Sequence, residues 1–206
     1  MGAVVALDHL LGARTVWRGG AVPAAAAAVA VQPSGHAGLD ARLPQGGWPD
    51  SALTEILLPC DGVGELALLL PTLARLTQAG QRVVLVAPPY RVHAPAWAQA
   101  GVALPGLQVV QADPRNAAWA AEQCLRSAAC AAVLCWPLQA DDRALRRLQV
   151  AAETGQCLGF AFRDARHARN PSPAALRVQL EAGTRQLRVL KCRGGLAPAH
   201  AIALVS

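Results

Sequence analysis

The sequence predicts an α/β domain with a mostly parallel central sheet, helices on both faces and a C-terminal antiparallel hairpin. Three observations carry this. Short apolar runs alternate with segments of helical periodicity, the pattern of successive βα units. Several of these runs are apolar at nearly every position, as strands covered on both faces are. The last three strand-like segments then follow one another without a helix between them.

The elements run in this order. Residues 3–12 can form a short helix with Leu7, Leu10 and Leu11 on one side. The Ala-rich stretch "AVPAAAAAVAVQPSG" reads as a low-complexity connector. Residues 1–33 are therefore set apart from a core domain over 34–206. "PQGGWPD" (44–50) is turn punctuation, and "LTEILL" (53–58) is the first buried strand. A helix follows from about Val63 to Ala79, with Leu66, Leu69, Leu70, Leu73 and Leu76 at helical spacing; Pro71 predicts a kink and Gly80 a C′ stop.

"RVVLVA" (82–87) is a central strand, "HAPAWAQAG" a short helix, and "LQVVQA" (107–112) a strand. "RNAAWAAEQCLRSA" (115–128) is a helix and "AAVLCW" (131–136) another buried strand. Asp141 N-caps a helix that runs to Thr154 and is closed by Gly155; Leu145, Leu148 and Ala152 give its apolar stripe, with Arg143, Arg146 and Arg147 outside it. "CLGFAFR" (157–163) is a strand and "FRDARHARNPSP" (162–173) a basic loop. "AALRVQLEA", "RQLRVLKCR" and "AIALV" complete the sheet.

Composition bounds the function. The chain has 206 residues, 53% hydrophobic and 16% charged, which suits one domain with a real core. The N-terminus lacks a basic n-region, and the apolar run Ala128 to Leu138 is shorter than the roughly 20 residues a membrane span needs. The expectation is a cytoplasmic protein with no membrane contact. The six cysteines form no C-x-x-C pair, so neither a metal site nor a cysteine nucleophile is expected. The net charge of +6 is uneven: 8 Lys/Arg face 10 Asp/Glu up to Asp142, and 11 face 3 from Arg143 onward. A basic C-terminal third suits an acidic partner, protein or nucleic acid.

A parallel sheet places ligands at the carboxyl ends of its strands. "LLPCDGVGELALLL" (57–70) has the outline of a phosphate loop, a strand turning through Gly62 and Gly64 into a helix. After Pro59 and these glycines, however, Glu65 and Leu66 stand where lysine and a hydroxyl belong. Glu65 repels phosphate, and Leu66 cannot ligate Mg²⁺. The second strand ends in Ala87, Pro88 and Pro89 and the third in Cys135, Trp136 and Pro137, without the base and metal carboxylates of ATP hydrolysis. No enzyme activity and no cofactor are expected. Ser34, His36 and Asp40 lie close in sequence, but a turn and short helix explain them better than a triad. The remaining candidates are cations able to meet a partner or the phosphates of single-stranded DNA: Arg163, Arg166 and Arg169 in the basic loop, and Lys191 and Arg193 beside "GG". The loop has no aromatic after Phe162 for base stacking.

The layout from "SGHAGLDARLPQGGWPDSALTEI" (34–56) through "VVLVAPP", "CLRSAACAAVLCWPL" and "RVLKCRGG" resembles the RecA core. More closely, "VWRGG", "GLDARLPQGGWP", "GVGELALLLPTLARL", "VAPPY", "WAAEQCLRSAACAAVLCW", "RALRRLQVAAE", "PSPAALR" and "LKCRGG" resemble the ImuA family of RecA-like accessory proteins. That resemblance implies a noncatalytic pseudo-ATPase, an adaptor in damage-induced translesion synthesis and mutagenic DNA repair within the SOS response. Its implied partners are an ImuB-like polymerase homologue, an error-prone DnaE-type polymerase and RecA, with self-association through residues 1–33. It places the phosphate-loop lysine at Gly64 or Glu65, the catalytic glutamate at Pro89 and the metal-side aspartate at Trp136. Arg163 falls at the gating glutamine of a shortened DNA loop, and Lys191 and Arg193 fall at lysines that reach a neighbour's nucleotide. Relatives of this kind are also labelled SulA-like, which implies an alternative: a cell-division inhibitor with a RecA-like fold and no working nucleotide site, binding FtsZ.

Overall fold

A computed structural model of the chain describes residues 31–204. The expectations for residues 3–12 and most of the 1–33 segment lie outside the described residues. A short helix α1 (Ala37–Asp40) leads into β1 (Leu53–Leu58), α2 (Glu65–Gln78), β2 (Val83–Val86), α3 (Ala94–Gln99) and β3 (Leu107–Val110). Then come α4 (Ala117–Arg126), β4 (Ala132–Cys135), α5 (Asp142–Gly155) and β5 (Leu158–Asp164). The chain ends with β6 (Leu176–Glu181), β7 (Gln186–Cys192) and β8 (Ile202–Ala203). The eight strands form one sheet in the order β3-β2-β4-β5-β1-β6-β7-β8. Every pairing from β3 to β6 is parallel, whereas β7 and β8 are added antiparallel.

Side-chain alternation along the strands explains the two faces. Ile56, Leu85, Leu134, Phe160 and Val178 point to one core with Leu39 of α1, Leu69 and Leu73 of α2, and Trp97 of α3. Leu53, Val84, Val133 and Ala161 point to the other with Ala121 and Leu125 of α4 and Leu145 and Leu148 of α5. Trp48, expected only as part of a turn, is fully buried, edge-on to Phe160 at 5.3 Å, and its indole N–H donates to Thr72 Oγ1 at 2.9 Å.

Helix ends follow the chemistry that sets them. Asp141 caps α5 by accepting from the Ala144 N–H at 2.7 Å. α2 runs continuously through Pro71 and closes with Gly80 N–H on the Thr77 carbonyl and Gln81 N–H on that of Leu76, a Schellman end. At the end of α5 the expectation is corrected: Gln156, not Gly155, takes the left-handed conformation, at φ 52°. Gly155 is the last helical residue, and α4 packs against it too closely for a side chain. A Cβ there would lie 1.8 Å from the Leu125 carbonyl oxygen.

The basic loop is also corrected. β5 continues through Asp164, and a 3-10 helix occupies Ala165–Arg169. Residues 165–175 form a strap that crosses from the end of β5 to the start of β6 without an α-helix. It lies on the α5 side, where Ala174 joins the second core and Ala175 N–H donates to Leu53 O at 2.9 Å. The last strand shrinks to Ile202–Ala203. Among the described residues no helix is long and apolar enough to cross a membrane, and no group of three His, Cys, Asp or Glu is placed to hold a metal.

Candidate functional site

Two sites develop from the strand ends. The first is the turn between β1 and α2. Gly62 and Gly64 hold φ values of 83° and 96°, which glycine adopts without strain. The turn therefore forms as the sequence suggests, but Glu65 fills it. Its carboxylate is 2% exposed and folds back to accept from the Gly62 N–H and the Tyr90 hydroxyl, each at 3.1 Å. A backbone N–H that a phosphate needs is thus bound to the chain's own anion. Burial, and then the Glu65 charge, push the Tyr90 phenol far up, so it remains a donor. Leu66 packs partly buried against the first core, and Pro59 and Cys60 stay exposed.

Aromatic packing closes the neighbouring strand ends. Trp136 stacks on Phe162 with centroids 4.6 Å apart and meets the Tyr90 ring edge-on at 5.9 Å. A cavity of about 140 Å³ remains, lined by Leu58, Cys60, Trp136, Phe162 and Arg163 among others. Trp136, which stands where the metal-side aspartate is looked for, is here part of a hydrophobic plug, whereas Pro89 is exposed. Tyr90 and Phe162 were not singled out from the sequence; their placement at successive strand ends was the available signal.

The second site lies under the strap. Glu55, in the middle of β1, is fully buried. Arg163 Nη1 reaches one carboxylate oxygen at 2.8 Å and Arg177 Nε the other at 2.6 Å. Burial by itself raises the Glu55 carboxyl, but hydrogen bonds from Ser172, Arg177 and Arg163 outweigh it and hold the group below its ordinary value. Arg177 also donates to the strap carbonyls of His167 at 2.9 Å, Ala168 at 3.3 Å and Asn170 at 2.9 Å. Arg163 Nη2 donates to Ala140 O at 2.8 Å, tying the strap's root to the start of α5.

This corrects the place of Arg163. It is 6% exposed, because strand alternation turns it under the strap toward Glu55. Arg166 and Arg169 are exposed on the 3-10 turn. Lys191 lies opposite Arg177 across the β6/β7 pair and donates to Ser172 O at 2.7 Å. Arg193 pairs with Glu153 of α5 at 3.0 Å. Four of the five expected cations therefore line or flank the strap, with Arg163 buried beneath it. Glu55 and Arg177 were missed as a site, although a glutamate inside "LTEILL" is itself a sign of a buried partner. Ser34, His36 and Asp40 make no triad: Ser34 N–H donates to Asp40, and His36 Nε2 bonds to Leu68 O at 3.1 Å.

The family model for "Cell division inhibitor SulA" matches residues 53–159, just over half of the chain. The crystal structure of SulA from Pseudomonas aeruginosa is similar at a TM-score of 0.46 and 26% identity, over 53% of this chain and 96% of that one. No curated protein matches. The matched span contains "GVGELALLLPTLARL", "VAPPY", "WAAEQCLRSAACAAVLCW" and "RALRRLQVAAE", much of what suggested the ImuA family. It overturns the reading as a translesion-synthesis or pseudo-ATPase protein; the polymerase and RecA partners rested on that resemblance alone. Residues 53–159, from the first strand through the start of the fifth, place the chain in the SulA family, to which it belongs.

Proposed function

We propose that this chain is a cytoplasmic cell-division inhibitor of the SulA kind, acting by binding the division protein FtsZ and catalysing no reaction. The observation that carries this reading is the SulA family match over residues 53–159. The geometry at the strand ends supports the noncatalytic part. Glu65 occupies the glycine turn, and Trp136 and Phe162 fill the space beside it. The strand order supports the finer description of the core as RecA-like. The test is GTP-driven assembly of purified FtsZ, followed by light scattering and pelleting. Inhibition should rise in proportion to the protein added and should not deepen with time. Full assembly in the presence of excess protein would overturn the reading. Calorimetric titration with Mg-ATP should show no binding, and micromolar affinity would overturn the noncatalytic part.

A further inference from the structure

We propose that the strap over residues 165–173 is a preformed docking surface for an acidic protein face, with Arg166 and Arg169 as its contacts and Arg177 as the residue that positions them. This goes beyond the family reading and does not depend on FtsZ being the target.

The network beneath the strap is the first reason. A buried carboxylate paired with two guanidiniums contributes little net stability compared with apolar residues of similar size. What it does fix is shape. One guanidinium, Arg177, gathers the carbonyls of His167, Ala168 and Asn170, and Lys191 holds that of Ser172. Glu55 in turn fixes Arg177. A surface segment is thus ordered from below through its backbone, while its side chains stay outside.

Charge is the second reason. Arg169 makes no ion pair among the described residues, and Arg166 meets Asp164 only at 3.7 Å with 72% of its side chain exposed, a contact of small value. Under the strap, Arg163, Arg177 and Lys191 outnumber Glu55. Near the start of α5, Arg143 and Arg146 are exposed together with Asp141 and Asp142. His167 reports the same field: burial first, then Arg163 and Arg166, push its pKa down, so it is neutral at pH 7.

Stacking chemistry decides between acidic protein and nucleic acid. No Phe, Tyr or Trp lies between Arg163 and Ala175, and His167 is the one ring in that stretch, so the strap offers no platform on which successive bases could stack. Carboxylates need only guanidiniums on a defined surface, and an ordered strap supplies these without a backbone ordering cost at binding.

The test measures binding of a labelled oligoglutamate peptide to the full chain by anisotropy at low and moderate salt. The wild type should bind, with affinity falling as salt rises. Arg166→Glu with Arg169→Glu should weaken binding by about tenfold or more. Arg177→Met should weaken it as well, although that side chain is buried. Circular dichroism checks folding; if Arg177→Met unfolds, Arg177→Lys, which keeps the charge but loses the fork that gathers the carbonyls, tests the positioning role, and a folded Arg177 variant that binds like the wild type overturns it. Arg91→Glu with Arg115→Glu, the same charge change away from the strap, should leave most of the affinity. The proposal is overturned if the wild type does not bind at low salt, or if the strap variant binds within twofold of the wild type. It is equally overturned if the control pair weakens binding as much, or if oligothymidylate binds more tightly than oligoglutamate.

Discussion

Glu65 and Glu55, the two most deeply buried glutamates among the described residues, are handled in opposite ways. Glu65 meets only neutral donors, a backbone N–H and a phenol, and leaves its second oxygen without a hydrogen-bond partner. Glu55 is held on both oxygens by guanidiniums that themselves continue to backbone carbonyls. The first arrangement closes a site by local folding within one turn and a neighbouring loop. The second joins β1, β5, β6 and the strap across long sequence separations. A buried charge thus serves as a stopper in one place and as an anchor in the other.

The largest expected effect breaks the anchor. Glu55→Ala leaves two buried guanidiniums without their anion and should cost about 3–5 kcal/mol in urea unfolding. A loss below about 1 kcal/mol would mean the triad is no more than surface-like in strength. Next is the stopper: Tyr90→Phe removes one of two donors to Glu65 and should cost about 1–3 kcal/mol, with the loss shrinking when Glu65 is also made Leu. Additive losses in that double-mutant cycle would sever the two residues.

Acid separates the glutamates further. The Glu55 carboxyl is depressed in the folded state, so it stabilises the fold above its ordinary value of 4.5, and this contribution is lost as pH falls through the folded value. Stability should decline as pH falls from 4.5 to the folded value, with an added slope of at most about 1.4 kcal/mol per pH unit. Glu55→Gln should flatten the decline, and an unchanged slope would assign acid sensitivity elsewhere. The smallest effect is expected of Trp136→Phe. Its indole N–H has no partner, so the ring contributes by packing, and the change should cost less than about 1.5 kcal/mol by thermal unfolding.

Much of the scaffold was legible because it rests on local rules. Apolar runs marked the strands, Asp141 its helix cap, and Gly80 its helix end. The ImuA reading gave way to its SulA-like alternative for a different reason: motifs such as "GVGELALLLPTLARL" report a shared strand, turn and helix, which more than one family can use. The site was half legible. Glu65 and Trp136 stand out in the sequence where a phosphate loop and a metal-side carboxylate are looked for, and the structure puts them in the glycine turn and against Phe162. Arg163 misled because it belongs both to the expected strand 157–163 and to the expected loop 162–173, and strand alternation, which puts Phe162 on one face, turns it inward on the other. Arg177 lies 122 positions from Glu55, and no period or spacing in a single sequence connects them. Gly155 misled similarly, since its lack of a side chain answers to the backbone of α4 and not to a turn.

The strap divides its labour between backbone and side chains in a way that matters for engineering and divergence. Its path is written in carbonyls that converge on Arg177, so insertions there disturb the fold. Positions 166 and 169 take no part in that convergence. Recognition at this surface can therefore be rewritten by point substitution while the scaffold stays fixed, making it a natural place to graft a different specificity.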